Sequence, residues 1–116
     1  MASSTTPTDV VIIDAVRSPI GRRNGGLSTL HPADLLGRVQ AELFARTGVD
    51  PASVGQVITG CVSQVGEQSF NLGRTAWLAA ALPQRPANPT VDTQCGPSQQ
   101  ATHLPTAPTG AGAIDS

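Results

Sequence analysis

Prolines fix where helices can start and stop in this chain, and ten of them divide its 116 residues. Proline has a locked φ and no backbone N–H, so a helix accepts it in its first turn and breaks around it elsewhere. Pro32 therefore opens a helix, at a position where the missing N–H costs nothing. Beyond it Leu35, Leu36, Val39, Leu43 and Phe44 recur at the 3.6-residue period. Gly48 closes that helix as a left-handed cap. Asp50-Pro51-Ala52-Ser53 predicts a short capped helical turn. Pro83 ends a second helix predicted over 71–82, whose small apolar side is Leu72, Ala76, Ala79, Ala80 and Leu82. Residues 84–89, rich in proline, read as an extended linker. Pro97 fits the first turn of a further helix. Pro105 and Pro108 would each cost about 3 kcal/mol in a helix interior, so that helix cannot run undisturbed past about His103.

Between these punctuation marks lie β-branched runs. Val10-Val11-Ile12-Ile13 is continuous and apolar, which predicts a strand buried on both faces. Arg17-Ser18-Pro19-Ile20-Gly21 and Asn24-Gly25-Gly26 are loop residues. Val57–Val62 predicts a second strand and Thr90–Thr93 a short third. The order is β-α-β-α-β, then a helix start. Such alternation implies an α/β fold with a mostly parallel sheet and right-handed crossovers. In such sheets functional groups collect at the carboxyl ends of strands. Cys95 stands there, two residues beyond Thr93.

Composition bounds the rest. Leu, Ile, Val and Phe total 26 residues, and Gly and Pro contribute 12 and 10, so the core is modest and loop-rich. Seven Arg, no Lys and eight acids leave a net charge of −1. That argues against nucleic acid and against an anionic membrane as partner. No apolar run approaches the ~20 residues of a membrane span. Residues 1–8 are small and polar, without the basic start and apolar stretch of a secretory signal, which predicts a disordered lead-in and a cytoplasmic protein. In that compartment Cys61 and Cys95 stay reduced. Neither has a Cys or His neighbour at metal-ligand spacing, and His31 and His103 are isolated, so no metal site is expected. Asn24-Gly25-Gly26 lacks the strand-to-helix context of a phosphate loop and reads as a surface turn.

Four segments carry a family resemblance, in order along residues 9–96. Val10–Gly21, with Arg17-Ser18-Pro19, resembles the strand-and-loop start of the thiolases. Gly60-Cys61-Val62-Ser63-Gln64-Val65-Gly66-Glu67 is similar to their second strand and the dimer-contact loop beyond. Asn71-Leu72-Gly73-Arg74-Thr75-Ala76 resembles their Asn-x-x-Arg helix start. Val91-Asp92-Thr93-Gln94-Cys95-Gly96 is similar to the segment that holds their nucleophilic cysteine. After Cys-Gly the family continues with Ser-Gly or a close variant, whereas Pro97-Ser98 follows here. Residues 97–109 are Pro- and Thr-rich and divergent, and Gly110–Asp115 again resembles the family. The resemblance implies an incomplete thiolase-like N-terminal half over 9–116. It implies an acyltransferase acting on coenzyme A thioesters, with homo-oligomers in the full-length family and no cofactor beyond the thioester substrate.

The chemistry suits a thiol, because a thiolate is both a good nucleophile and a good leaving group. A helix N-terminus favours the thiolate, and a following glycine lets backbone approach a thioester carbonyl. By the resemblance Cys95 is the nucleophile, and the activating histidines and second catalytic cysteine belong to the family's C-terminal half. The 116-residue chain is therefore expected to be inactive alone. Cys61 reads as a packed core residue, His31 as a helix-entry residue and His103 as a surface or interface histidine. Arg22 and Arg23 read as a solvated pair in preference to a coenzyme A phosphate site. Arg74 reads as a structural ion pair or dimer contact, and Trp77 as a core or interface anchor. The alternatives to an acyltransferase are a non-catalytic dimerising or binding remnant and a decayed, truncated product. A 3-ketoacyl synthase is a nearby enzyme alternative, disfavoured by Arg17-Ser18-Pro19 and Asp92–Gly96.

Overall fold

The structure is a computed structural model that describes residues 9–110. The predicted lead-in over 1–8 lies outside the described residues. Helix α1 runs Pro32–Thr47. His31 caps it, its Nδ1 accepting from the Ala33 N–H at 3.1 Å. Gly48 ends it at φ 70°, donating its N–H to the Phe44 carbonyl. The left-handed conformation is what makes glycine the natural residue there. Asp50 accepts from the Ala52 N–H and caps the 3₁₀ turn Pro51–Ser53.

Two short strands follow, β1 (Thr59–Gly60) and β2 (Thr90–Val91), paired in parallel with Thr59 opposite Thr90 and Gly60 opposite Val91. An isolated parallel bridge joins Gln56 to Ala87. Between the strands lies α2 (Leu72–Ala79), shorter than the predicted 71–82. It stops before proline forces it to, because Ala81 turns left-handed at φ 56° ahead of Leu82 and Pro83. After β2 come α3 (Pro97–His103) and α4 (Thr106–Gly110). The break falls at Leu104 and Pro105, as the proline spacing predicts. Pro108 is accommodated in the first turn of α4.

The α/β expectation with a parallel sheet holds, with one correction. Val10–Ile13 forms no strand among the described residues, and its side chains are exposed, Ile12 to 84%. A β-branched run has the right shape for a strand, but a strand exists only where a second backbone takes its hydrogen bonds. This one lies beside Leu43, Phe44, Thr47 and Val49 of α1 and its end, across an open hollow.

The core is small. Ala33, Cys61, Leu72, Ala76, Trp77 and Ala101 are its buried apolar residues, and Trp77 is the large one, at 2% exposure. Phe44 of α1 meets the Trp77 ring edge-on, with centroids 5.6 Å apart and planes at 81°. Two helices approach closely only where side chains are small. A Cβ at Gly37 would stand 2.8 Å from the Ala76 carbonyl oxygen and 3.2 Å from the Ala80 Cβ. Thus Ala33 and Gly37 form the buried contact, and Leu35, Leu36, Val39, Leu43 and Phe44 are half-buried.

Candidate functional site

Cys95 sits at the turn from β2 into α3. Three parallel-ladder bonds bring it there. The N–H groups of Val57, Thr59 and Cys61 donate to the carbonyls of Ala87, Pro89 and Val91 at 2.9, 3.1 and 3.0 Å. The strand pair therefore extends beyond its two-residue core and takes in part of the predicted linker. Past Val91 the Gly96 N–H donates to the Thr93 carbonyl at 2.9 Å and closes a four-residue turn. Cys95 is the third residue of that turn, at φ 63°.

A positive φ at the third turn position ordinarily selects glycine or asparagine. A cysteine held there is strained, and such strain collects at reactive positions. The thiol is free and the residue exposed. Asp92 and Gln94 flank it, the Gln94 amide donating to the Asp92 carboxylate at 2.7 Å. Helix α3 begins directly after, with Gly96 as its cap and Pro97 in its first turn. The Ser98 and Gln99 N–H groups fall in that first turn, where helix donors have no intrahelical acceptor.

What holds the helix start in place is a glycine. A Cβ on Gly60 would fall on the Pro97 carbonyl group and the Ser98 nitrogen. Only a residue without a side chain lets the first turn of α3 rest on β1. The loop after β1 and the turn after β2 leave the parallel pair at the same end, so residues 62–70 and Cys95 share one edge of the molecule. Cys61 lies buried at the start of that loop, 3.8 Å from Gln68 Oε1. The core reading of Cys61 stands on that burial.

Other expected residues fall where the sequence put them, with one exception. His31 is the α1 cap. His103 ends α3, exposed. Arg22 and Arg23 are exposed beside the turn closed by the Gly25 N–H and the Arg22 carbonyl. Trp77 is a core anchor. Arg74 departs from the ion-pair reading: its guanidinium donates instead to the carbonyls of Pro86 and Gln84 at 3.2 and 2.9 Å. The missed signal was the Pro83-Gln84-Arg85-Pro86 stretch, which has few N–H groups but keeps every carbonyl, and so calls for donors from elsewhere. Asn88 was missed too. It is buried, its Oδ1 accepting from the Thr59 hydroxyl at 3.4 Å.

No group of three or more His, Cys, Asp and Glu among the described residues could hold a metal ion. No described helix is long and apolar enough to cross a membrane.

A parallel strand pair flanked by helices, with a free cysteine at the strand-to-helix turn, defines an α/β protein, a class whose functional groups collect at the carboxyl ends of strands. The chain belongs to the thiolase family: residues 10–116 match the family's N-terminal domain. Similar proteins include the steroid 3-ketoacyl-CoA thiolase FadA6 of Mycobacterium tuberculosis, 48% identical over 94 residues. That match takes in 81% of this chain and 23% of the relative. The 3-ketoacyl-CoA thiolase of Saccharophagus degradans is 41% identical over 114 residues, 97% of this chain and 29% of that protein. The crystal structure of the Bacillus anthracis acetyl-CoA acetyltransferase superposes with a TM-score of 0.81 at 36% identity. It covers 90% of this chain and 26% of that one. The chain thus spans about a quarter of the length of the relatives it matches.

Proposed function

We propose that this chain carries the acyl-accepting half of a thiolase reaction, with Cys95 as the nucleophile. The observation that carries the reading is the exposed, free Cys95 at φ 63° on a closed strand-to-helix turn. Its thiolate attacks the carbonyl carbon of a coenzyme A thioester. A new carbon–sulfur bond forms, the bond to the coenzyme A sulfur breaks, and the released thiolate takes up a proton. In a complete enzyme the acyl group then passes to the α-carbon of a second acetyl-CoA in a Claisen condensation; in the reverse direction, thiolysis, the cysteine attacks the 3-keto carbon of a 3-ketoacyl-CoA, the C2–C3 bond breaks to release acetyl-CoA, and coenzyme A takes the acyl group. Full turnover needs a base for the thiol and a proton carrier at the substrate carbon. His31 is committed to a helix cap, and the Cys95 thiol has no hydrogen bond to any described residue. The 116-residue chain alone is therefore expected to be acylated and not to turn over. A reducing, cytoplasmic setting that keeps Cys95 free belongs to the same reading.

The test is intact-mass and peptide mapping after incubation with acetyl-CoA. We expect one acetyl group on Cys95, lost in Cys95→Ala and kept in Cys61→Ala. Absence of the adduct, its placement on Cys61, or steady turnover by the chain alone would overturn the reading.

A second reading has its own support. Phe70 is 95% exposed at φ 55°, and Val65 stands exposed in the same loop. Apolar side chains held out to solvent suit a surface for another copy or a full-length relative. Co-elution with a full-length thiolase on gel filtration, lost in Phe70→Ser, would favour a dimerising module. Elution as a monomer in every mixture would dismiss it.

A further inference from the structure

The segment between α2 and β2 has two sets of carbonyls with two different partners. Those of Ala87, Pro89 and Val91 accept from β1 and its flanks. Those of Asn88, Pro86, Gln84 and Pro83 accept from side chains of α2 and its cap. The Asn71 amide donates to the Asn88 carbonyl at 2.6 Å. The Arg74 guanidinium reaches Pro86 and Gln84. The Trp77 indole N–H donates to the Pro83 carbonyl at 2.5 Å. Asn71, Arg74 and Trp77 are three apart, so they lie near one face of the helix. Their acceptors run the opposite way, from 88 down to 83. Asn71 also ties the far end of this arrangement: its Oδ1 accepts from the Thr90 hydroxyl at 2.7 Å and from the Arg74 N–H at 3.1 Å.

Successive carbonyls of an extended chain point to opposite sides. Over 86–91, where the two sets alternate, a slip of one residue would therefore exchange them and turn the Pro86 and Asn88 carbonyls away from Arg74 and Asn71. The short ladder of β1 and β2 holds one set of carbonyls and leaves the other set to α2. Register in turn decides what lies beneath the start of α3. Gly60 alone accepts Pro97 and Ser98 against its backbone, whereas its neighbours Thr59 and Cys61 carry side chains.

We propose that Asn71, Arg74 and Trp77 act as a donor ladder that sets the register of β2 and so positions the Cys95 turn. Arg74 is its central member, because one planar guanidinium serves two carbonyls. It is a positioning residue, acting on Cys95 through the 84–91 backbone. The functional meaning of this placement rests on the reading of Cys95 as nucleophile.

Residue-resolved hydrogen exchange on the full 116-residue chain tests it, together with the rate of Cys95 alkylation by iodoacetamide. Arg74→Met removes both donors and keeps the stem length, Arg74→Lys restores one, and Trp77→Phe removes the bond to Pro83 together with part of the buried ring. In Arg74→Met we expect protection of the Val57, Thr59 and Gly96 amides to fall by about tenfold or more. The Gly48 amide, bonded to Phe44 at the far end of α1, should keep its protection. The alkylation rate should change with the amides, and Arg74→Lys should lie between wild type and Arg74→Met. Unchanged protection in Arg74→Met overturns the proposal. An equal loss at Gly48 overturns it as well, since that is general loosening. So does an alkylation rate indifferent to all three variants. Failure of the wild-type chain to take an acetyl group would count against the nucleophile reading alone and leave the register result standing.

Discussion

Val10–Ile13 and Val57–Cys61 have the same kind of sequence and opposite fates. Both open with consecutive β-branched apolar residues. The second donates three N–H groups to a neighbouring backbone, is half-buried along most of its length and ends in the buried Cys61. The first pairs with nothing described and holds Val11, Ile12 and Ile13 largely in solvent. The difference is not propensity. The second run has Gly73 of α2 against Thr59 and the start of α3 against Gly60, both approaches admitted by missing side chains. The first has the half-buried flank of α1 and, at Val10 alone, Gly110 of α4. A strand is made by its neighbours, and strand-forming residues are only the condition for it.

Substitutions should separate the two regions. The largest expected effect is at the joint that supports the paired region. Trp77→Ala removes the large buried side chain together with its bond to Pro83 and should cost about 3–5 kcal/mol in urea unfolding. A cost under ~1 kcal/mol would mean that α1 and α2 do not depend on this contact. Gly60→Ala comes next. It places a methyl group on the Pro97 backbone and should cost about 1–3 kcal/mol. Circular dichroism should show lost helix, and Cys95 should change its alkylation rate. Asn71→Ala removes the α2 cap and the ties to Asn88 and Thr90, and should cost about 1–2 kcal/mol in the same assay. The smallest effect is expected in the unpaired region. Ile12→Ser should lie within about 0.5 kcal/mol of wild type. A loss comparable to that of Gly60→Ala would show that Val10–Ile13 is packed in solution, and the contrast between the regions would fail. The exposed Arg46–Glu42 pair, at 2.9 Å, should likewise contribute little.

How much was legible depended on how local the cause was. The ends of α1 were legible because Pro32 and Gly48 act on their own backbone. The break before Pro105 was legible for the same reason. The apolar stripe of α1 was seen, but its buried contact was not. Periodicity highlights large side chains, while this interface is built on Ala33 and Gly37 because the helices touch. At the candidate site, the place of Cys95 after a strand was legible from the element order. Its positive φ was not, since nothing in Thr93-Gln94-Cys95-Gly96 demands that the cysteine take the strained position when a glycine stands beside it. Arg74 reads as structural from the sequence, but its main-chain acceptors are not legible there. Its acceptors are main-chain carbonyls ten and twelve residues away, and every carbonyl looks alike in a sequence.

The sequence by itself determined where elements could begin and end, which segments could become strands, and that a cysteine would follow the last of them. Those outcomes rest on dihedral limits and on N–H groups that are present or absent within a few residues. Only the tertiary structure decided which strand-forming run found a partner, which face of α1 was covered, and how Cys95 was held. Those outcomes depend on backbone groups distant in sequence meeting at hydrogen-bond distance. That meeting requires the space left by Gly37 and Gly60 and the reach of Asn71, Arg74 and Trp77 together.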